Sequence, residues 1–451
     1  MKFKNKLAIY FVLLLAIFST GSCAPKDPYI DDAEDDTPLQ VYLMFFDVYE
    51  KDAIDKYNRA IDDGIIEGRK IEITEFELEE LENMYDRLSS EMISGKGPDI
   101  IFIDRITDLY LDFTKMSGQD AFADMDILIE KSDTFSFDDY NKAALDAGII
   151  DGKRVMMPLS YSVDYIITTQ ENMDEINMTV PDTLTFEQFF EIIEKCHNDT
   201  DAVGSEYPSR EMFYNMISKE GLQEQGIQKL KKYMELEAED NERYEAMGGA
   251  SSLADLFQRI CNGDILTHYS ENINGGTTFL LLGDLYNMTE NLYNETFIMM
   301  NEPSINPENS YGYINMGCAI NMNSIHKNDA FRFVEFLLSE SCQYSPTLKM
   351  TTLPVNTAAY ESAKEDFLNN TFVKYFNGST TEYAKTPLPD EMKDYFINLV
   401  EGVSGYKYIG QQRYIYKHVI GDSIDAYKNG KIDFDTMIEE INRKIKLYYS
   451  E

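Results

Sequence analysis

The segment SGKGPDIIFID, Ser94 to Asp104, restricts the fold more than any other part of this chain. Gly95 and Gly97 break a helix arriving from the N-terminal side. Pro98 lacks an amide hydrogen and disfavours helical geometry in the residue before it. Ile100, Ile101, Phe102 and Ile103 then run without alternation. An unbroken apolar run of strand length, bounded by breakers, suits a parallel strand buried on both faces. Upstream, LQVYLMFF (Leu39 to Phe46) reads as a buried strand ending at Asp47, and Ala53, Ile54, Tyr57 and Ile61 share one helical face. RKIEITEF is the next strand, with Ile71 and Ile73 alternating against charges. Leu78, Leu81, Tyr85, Leu88 and Met92 then repeat at helical spacing. A βαβαβ order predicts a parallel, doubly wound sheet with right-handed crossovers. In open α/β sheets ligands bind beyond the carboxyl ends of such strands. Asp104 and Arg105 stand there; an ordinary solvated loop is the alternative.

The 451 residues allow two or three domains, and 43% hydrophobic content supports a packed core. Forty basic residues face 80 acidic ones, a net charge of −40. Nucleic-acid partners need clustered Lys and Arg, so this balance argues against them. Residues 1–23 read as a processing signal. Lys2, Lys4 and Lys6 precede an apolar run, Leu7 to Phe18, that is shorter than the ~20 residues a membrane span needs. STGSC then places Cys23 after small residues, as in a bacterial lipobox, where the thiol is diacylated and becomes the new N-terminus. Thr20 stands where Leu is usual, and ordinary signal-peptidase cleavage is the alternative. Residues 24–38 are rich in Pro and Asp and read as a flexible, charged tether. Cys196, Cys261, Cys318 and Cys342 form no CxxC pair, so zinc-ribbon and thioredoxin readings fail. They read as small core residues.

A second region starts at the Asp151-Gly152 turn. TLTFEQFFEIIEKC opens a helix with a capping box from Thr185 to Gln188. Lys219 to Glu245 is polar and helical in period, Asn309 to Ser324 is strand-like, and HKNDAFRFVEFLLSE is an amphipathic helix. Thr351 to Asn356 reads as an extended link, and the chain ends as helix, Gly430, helix.

Together these pieces resemble the extracellular solute-binding proteins of ABC importers, family 1, the maltose-binding-like group. EMISGKGPDIIFID resembles that family's helix–Gly–Pro–Asp–strand signature. DGKRVMMPLSYSVDYIITTQENMDE resembles its segment leading into the first crossover between lobes. TLTFEQFFEII resembles a helix start in which Phe186 replaces the usual Trp. GCAINMNSIHKNDAFRFVEFLLSESCQ, LPVN and YKNGKIDFDTMIEEINRK follow in the family's order. The resemblance covers Leu39 to Glu451. It implies an α/β, two-lobed, periplasmic-binding-protein-like (type II) fold with discontinuous lobes around a hinge and an interlobe cleft. Lobe 1 would comprise 39–160 plus 300–348, and lobe 2 161–299 plus 349–451, with crossings near Tyr161, Asn301 and Thr351. It also implies a monomeric, non-catalytic receptor without cofactor or metal. Held by its lipid anchor on the outer face of a bacterial membrane, Gram-positive by the lipobox, it would hand an oligosaccharide to an ABC permease.

Sugars present apolar C–H faces and rings of hydroxyls, so a site pairs aromatic platforms with carboxylates, amides and Arg. Trp is absent, which leaves 31 Tyr and 26 Phe as platforms. Phe46, Asp47 and Tyr49 follow the first strand; Asp104 and Arg105 follow the third. By resemblance these face the cleft, and Tyr161 and Asp164 lie at the first crossing. GSEYPSREMFY offers Tyr207, Arg210 and Tyr214, HYSENINGG offers Tyr269 and Asn274, and ENSYGY offers Tyr311. YIGQQRYIYKH resembles a last-lobe segment with a stacking aromatic and an Arg, here Tyr408, Arg413 and Tyr414. The competing reading of each is a loop or core residue. A peptide or polyol is the competing ligand. A sensor subunit, or a secreted glycosidase built on two carboxylates, is the competing function. HExxH, GxSxG and phosphate-loop motifs are absent, and His197, His268, His326 and His418 have no metal-ligand spacing.

Overall fold

The structure is a computed structural model and describes residues 27–31, 35–181, 184–250, 253–269, 297–303, 310–345, 348, 352–369, 371–376, 379–384 and 389–450. The N-terminal βαβαβ unit forms as β1 (Leu39–Met44), α1 (Val48–Asp62), β2 (Ile71–Phe76), α2 (Leu81–Ile93) and β3 (Ile100–Asp104). β1 pairs in parallel with β2 and with β3. α1 buries Tyr49, Ala53, Ile54 and Tyr57, and α2 buries Met84, Tyr85, Leu88 and Met92, the stripes that the 3.6-residue period requires. Leu78 departs from its expected place. It lies in a separate 3-10 turn before α2 and is exposed. Gly95 and Gly97 take φ of 76° and 98°, values that glycine reaches without a Cβ penalty, and so turn the chain from α2 into β3. Asp99 locks that entry by accepting from Gln40 N at 2.7 Å and from Ser324 Oγ at 2.5 Å.

The next elements are β4 (Met157–Val163), β5 (Tyr165–Thr169), α3 (Phe186–Asp199), α4 (Ser209–Met216), β6 (His268–Tyr269) and β7 (Phe297–Asn301). They are followed by β8 (Tyr311–Ile320), β9 (Leu353–Pro354), β10 (Gly405–Lys407), α5 (Gly410–Ile415) and α6 (Phe434–Ser450). The expected capping box starts α3: Thr185 Oγ1 accepts from Gln188 N, and Gln188 Oε1 accepts from Thr185 N. The main sheet runs β9-β4-β8-β3-β1-β2, with β10 added beside β8. It is not wholly parallel. β8 runs antiparallel to both β3 and β4, because β8 re-enters at the end of the sheet where β4 leaves. A second sheet, β6-β5-β7, is antiparallel.

Two large apolar cores form among the described residues, beside a small third cluster of Tyr214, Tyr313 and Ile409. The first holds β1 to β4, β8, α1 and α2. The second gathers α3, α4 and α6 around Ile166 and Met300. β5 and β7 obey the two-residue alternation of a strand: Ile166 and Met300 enter the second core, while Tyr165, Ile167, Phe297 and Met299 face the first. The chain passes between the sheets at Asp164, after Glu302, and at Tyr408 and Ile409. The third crossing was expected near Thr351, which lies outside the described residues. Phe367, Phe396, Leu399 and Val400, in the stretch expected in lobe 2, are buried in the first core. Leu353 and Val355 are buried there, β9 pairs with β4, and Gln343 Oε1 accepts from Val355 N at 3.0 Å.

The tether expected at 24–38 is also corrected where it is described. Tyr29 is buried and its hydroxyl accepts from Asp124 N at 2.9 Å, while Asp31 accepts from Asn328 N at 3.0 Å. A tyrosine with an apolar body and a polar tip is enough to dock a short segment. Cys196, Cys318 and Cys342 are buried free thiols, and Cys261 is half-buried and free. Among the described residues, no helix is long and apolar enough to cross a membrane.

Glu50 on α1 is buried, and burial pushes its carboxyl up to about 8, with Asp47 and Asp104 adding repulsion. The folded protein therefore holds a proton that the unfolded chain releases near 4.5. Stability from this group is lost as pH rises from about 4.5 to about 8. Glu50→Gln should raise the melting temperature at pH 8.5 and leave it nearly unchanged at pH 4, read by calorimetry across that range.

Candidate functional site

The ends of β1 and β3 bring Phe46, Asp47 and Asp104 together. Asp47 Oδ2 accepts from Met44 N at 2.7 Å and Asp104 Oδ1 from Thr107 N at 2.6 Å, so each carboxylate closes the turn that ends its own strand. With Glu50 they line a cavity of only about 30 Å³. Burial, reinforced by Asp104, pushes Asp47 up to about 6.

Arg105 reaches the waist instead. Its guanidinium donates to Asn315 Oδ1 at 3.1 Å and lies 3.9 Å from Asp164. Tyr269 donates to Asp164 Oδ2 at 3.0 Å. Glu302, at the second passage, accepts from Tyr207 at 2.7 Å and from Tyr313 at 2.8 Å. At the third, buried Asp108 accepts from Tyr408 at 2.5 Å and from Arg413 at 3.1 Å. Burial raises Asp108 to about 6, against the pull of Arg413 and Tyr408. Two further bonds span the same gap: Tyr448 of α6 donates to Asp112 at 2.7 Å, and His418 Nε2 to Leu109 O at 2.6 Å.

A cavity of about 530 Å³ opens between the two cores. Its wall takes Arg105 from the end of β3, Arg210 and Tyr214 from α4, and Arg413, Tyr416 and Lys417 from α5 and the turn after it. That turn, Tyr416–Ile420, is π-helical, which inserts a residue and re-aims the side chains around it. The Tyr214 and Tyr416 rings meet edge to face at 5.5 Å. Beyond the Asp108–Arg413 contact lies a second cavity of about 570 Å³, with Lys115, Gln119, Tyr408, Gln411 and Tyr448 in its wall. Among the described residues, no group of three or more His, Cys, Asp and Glu could hold a metal ion.

Of the candidates, Arg105, Arg210 and Arg413 converge on the first cavity, together with Tyr214. Asp164 lies behind them and Tyr408 faces the second cavity. Several others are corrected. Tyr49 is in the first core, its hydroxyl 3.6 Å from Cys342 Sγ, because it begins the buried stripe of α1. Tyr161 is buried edge to face against Tyr406 at 4.7 Å. Tyr207 and Tyr269 are fully buried and their hydroxyls are used at the waist. Tyr311 lies under Lys407, 3.4 Å from the ring centroid, and Tyr414 packs on His418 at 4.6 Å. Asn274 and Cys23 lie outside the described residues. Sequence reasoning missed Asp108, Glu302, Tyr416 and Lys417. Asp108 follows Asp104 by four residues, a weak signal of a second acid at the same strand end. The π turn leaves no periodic trace.

No protein-family model matches the chain, and no curated protein matches it in sequence. Solved structures do match over nearly the whole chain. A substrate-binding protein of an ABC system from Listeria monocytogenes, in complex with cycloalternan, is 16% identical, covers 92% of this chain and 100% of its own, and gives a TM-score of 0.59. A cyclic α-maltosyl-1,6-maltose binding protein from Arthrobacter globiformis is 13% identical, over 92% and 99%, at 0.54. An extracellular solute-binding protein of family 1 from Alicyclobacillus acidocaldarius is 14% identical, over 93% and 100%, at 0.55. The chain has the solute-binding-protein fold. Both cavities lie between elements of the two cores, and Asp108–Arg413 is a direct contact between them.

Removing one partner of a buried ion pair leaves the other charge uncompensated, at a cost of ~3–5 kcal/mol. Arg413→Ala should cost that much in urea denaturation. Pairing it with Asp108→Ala should cost less than the two singles summed, because the second change removes the stranded charge.

Proposed function

We propose that the chain is an extracellular solute-binding receptor that captures a carbohydrate, an oligosaccharide, by closing its lobes, and delivers it to an ABC importer permease. The observation that carries this reading is the cavity between the two cores, walled by Arg105 and Leu109 on one side and by Arg210, Tyr214, Arg413 and Tyr416 on the other. Half-buried Tyr416 serves as a platform for a sugar C–H face, the role that Trp cannot fill in a chain without Trp. The matched proteins from Listeria and Arthrobacter, with their cyclic oligosaccharides, support the carbohydrate class. In this reading 39–160, 310–348 and 352–407 make lobe 1, and the rest of the described chain from Asp164 makes lobe 2. Diacylated Cys23 holds the monomer at the outer face of the membrane.

The energetics are those of a population shift. A ligand that touches both lobes binds the closed form better than the open form, and only that difference moves the equilibrium. A micromolar dissociation constant is about −8 kcal/mol in total, within reach of a few hydrogen bonds and a ring contact. No chemical step is required of the site.

A thermal-shift screen of the chain without its first 23 residues, against mono- and oligosaccharides with peptides as controls, tests the reading. A ligand at 100-fold its dissociation constant adds about 2.7 kcal/mol to stability. The expected result is a raised melting temperature with one family of sugars, and the same sugar recovered intact after hours. Consumption of the sugar, or shifts with peptides alone, would contradict it.

A further inference from the structure

We infer that the second cavity, of about 570 Å³ beyond the Asp108–Arg413 contact, is a carbohydrate site in its own right that takes the neutral rings of a sugar. The ligand class rests on the receptor reading above; the site is a second one, apart from the cavity that Tyr416 walls. Its volume lies within the ~300–1,000 Å³ of small-molecule pockets. Like the first cavity, it is walled from both cores. Thr114 and Gln119, on and just past the short helix Phe113–Gly118, stand with Ile150 on the side of the first core. Gln412 on α5 and Tyr449 on α6 stand on the side of the second. α5 divides the two cavities: Arg413 is in the wall of the first, and Gln411 and Gln412 are in the wall of the second.

The two walls differ in what their polar groups are doing. The guanidiniums of the first lie against buried carboxylates. In the second, the side chains of Thr114, Gln119 and Gln412 form no hydrogen bond among the described residues. Thr114 and Gln412 are half-buried and Gln119 is exposed, so all three are open to a ligand. A primary amide donates through two N–H groups and accepts at its carbonyl, and a hydroxyl does both. Sugar hydroxyls also do both, so this set answers neutral hydroxyls in either direction. The tyrosines play the complementary part. Tyr448 donates its hydroxyl to Asp112 at 2.7 Å, Tyr449 to Gln411 Oε1 at 2.9 Å and Tyr408 to Asp108 at 2.5 Å. With the hydroxyls taken, these half-buried residues offer the cavity ring surface that is fixed in place. Ile149 and Ile150 add aliphatic surface. Amides and a hydroxyl for the polar edge, with rings for the C–H face, are the groups that a neutral sugar requires. The charges of the wall nearly balance, Lys115 and Lys219 against Asp151, and Lys115 is drawn over the Tyr448 ring, 5.3 Å from its centroid.

Titration calorimetry on the chain without its first 23 residues tests this with five probes: the neutral trisaccharides of a glucan, a mannan, a galactan and an arabinan, and a hexuronate trisaccharide. At least one neutral trisaccharide should bind at two sites on each chain. Gln412→Ala should weaken one of the two about fivefold, Gln119→Ala and Gln412→Ala together about 25-fold, and Tyr449→Ala about tenfold, each leaving the other site unchanged. Tyr416→Ala should do the reverse. Neither glutamine side chain has a hydrogen bond to lose among the described residues, so both variants should keep the melting temperature of the unliganded chain. They carry the test if Tyr449→Ala perturbs folding. A single site that follows Tyr416 and ignores both glutamines would overturn the second site and leave the receptor standing. A single site that follows the glutamines and ignores Tyr416 would keep the second site and remove the first. Tighter binding of the hexuronate than of every neutral sugar at the glutamine-dependent site would overturn the neutral ligand. Binding of none of the five would overturn the second site, and with a silent thermal-shift screen the receptor reading too.

Discussion

Each passage of the chain through the waist is tied by a carboxylate that accepts a tyrosine hydroxyl. Asp164 takes Tyr269, Glu302 takes Tyr207 and Tyr313, and Asp108 takes Tyr408. Such bonds are directional but few, and the cores on either side are close-packed and stiff. A stiff–soft–stiff arrangement lets two bodies swing as units about a few residues, which is the hinge class of domain motion. The tyrosine-rich, Trp-free composition therefore serves the waist as much as the cleft.

The same waist explains why the charges sit where they do. The chain carries a formal net charge of −40. Basic groups concentrated at one place must then be held by design of the fold. Arg105 comes from a strand end, Arg210 from a helix start, and Arg413 from the first helix after the third passage. Acids at 3.1 Å brace Arg210 and Arg413, and Asp164 lies 3.9 Å from Arg105. Bracing lowers the entropy lost when a ligand orders these long side chains.

Much of this was legible in the residues, and the failures have physical causes. The βαβαβ unit, the glycine turn before β3 and the Thr185 box depend on local pattern and local hydrogen bonds, and all three read correctly. LPVN did not, because it reads as a link until Gln343 is seen clamping Val355 from a helix earlier in the chain. Tyr49, Tyr161, Tyr207 and Tyr269 were placed in the cleft because sequence cannot tell a tyrosine that offers its face from one that is buried to its hydroxyl. Arg105, Arg210 and Arg413 line one cavity, because a strand end and two helix starts meet there. Tyr416 and Lys417 depend on a π turn that breaks the helical period from which any sequence argument must proceed.

The central claim is that two rigid lobes close on a ligand about this waist. The direct measurement is the distance between spin labels at Glu82→Cys on α2 and Glu191→Cys on α3, both exposed positions on opposite lobes, with and without a saturating sugar found by titration. The account predicts a broad distribution that collapses to one distance when the ligand binds. A distribution unchanged at saturation would contradict it, and would make the cleft a rigid pocket rather than a jaw.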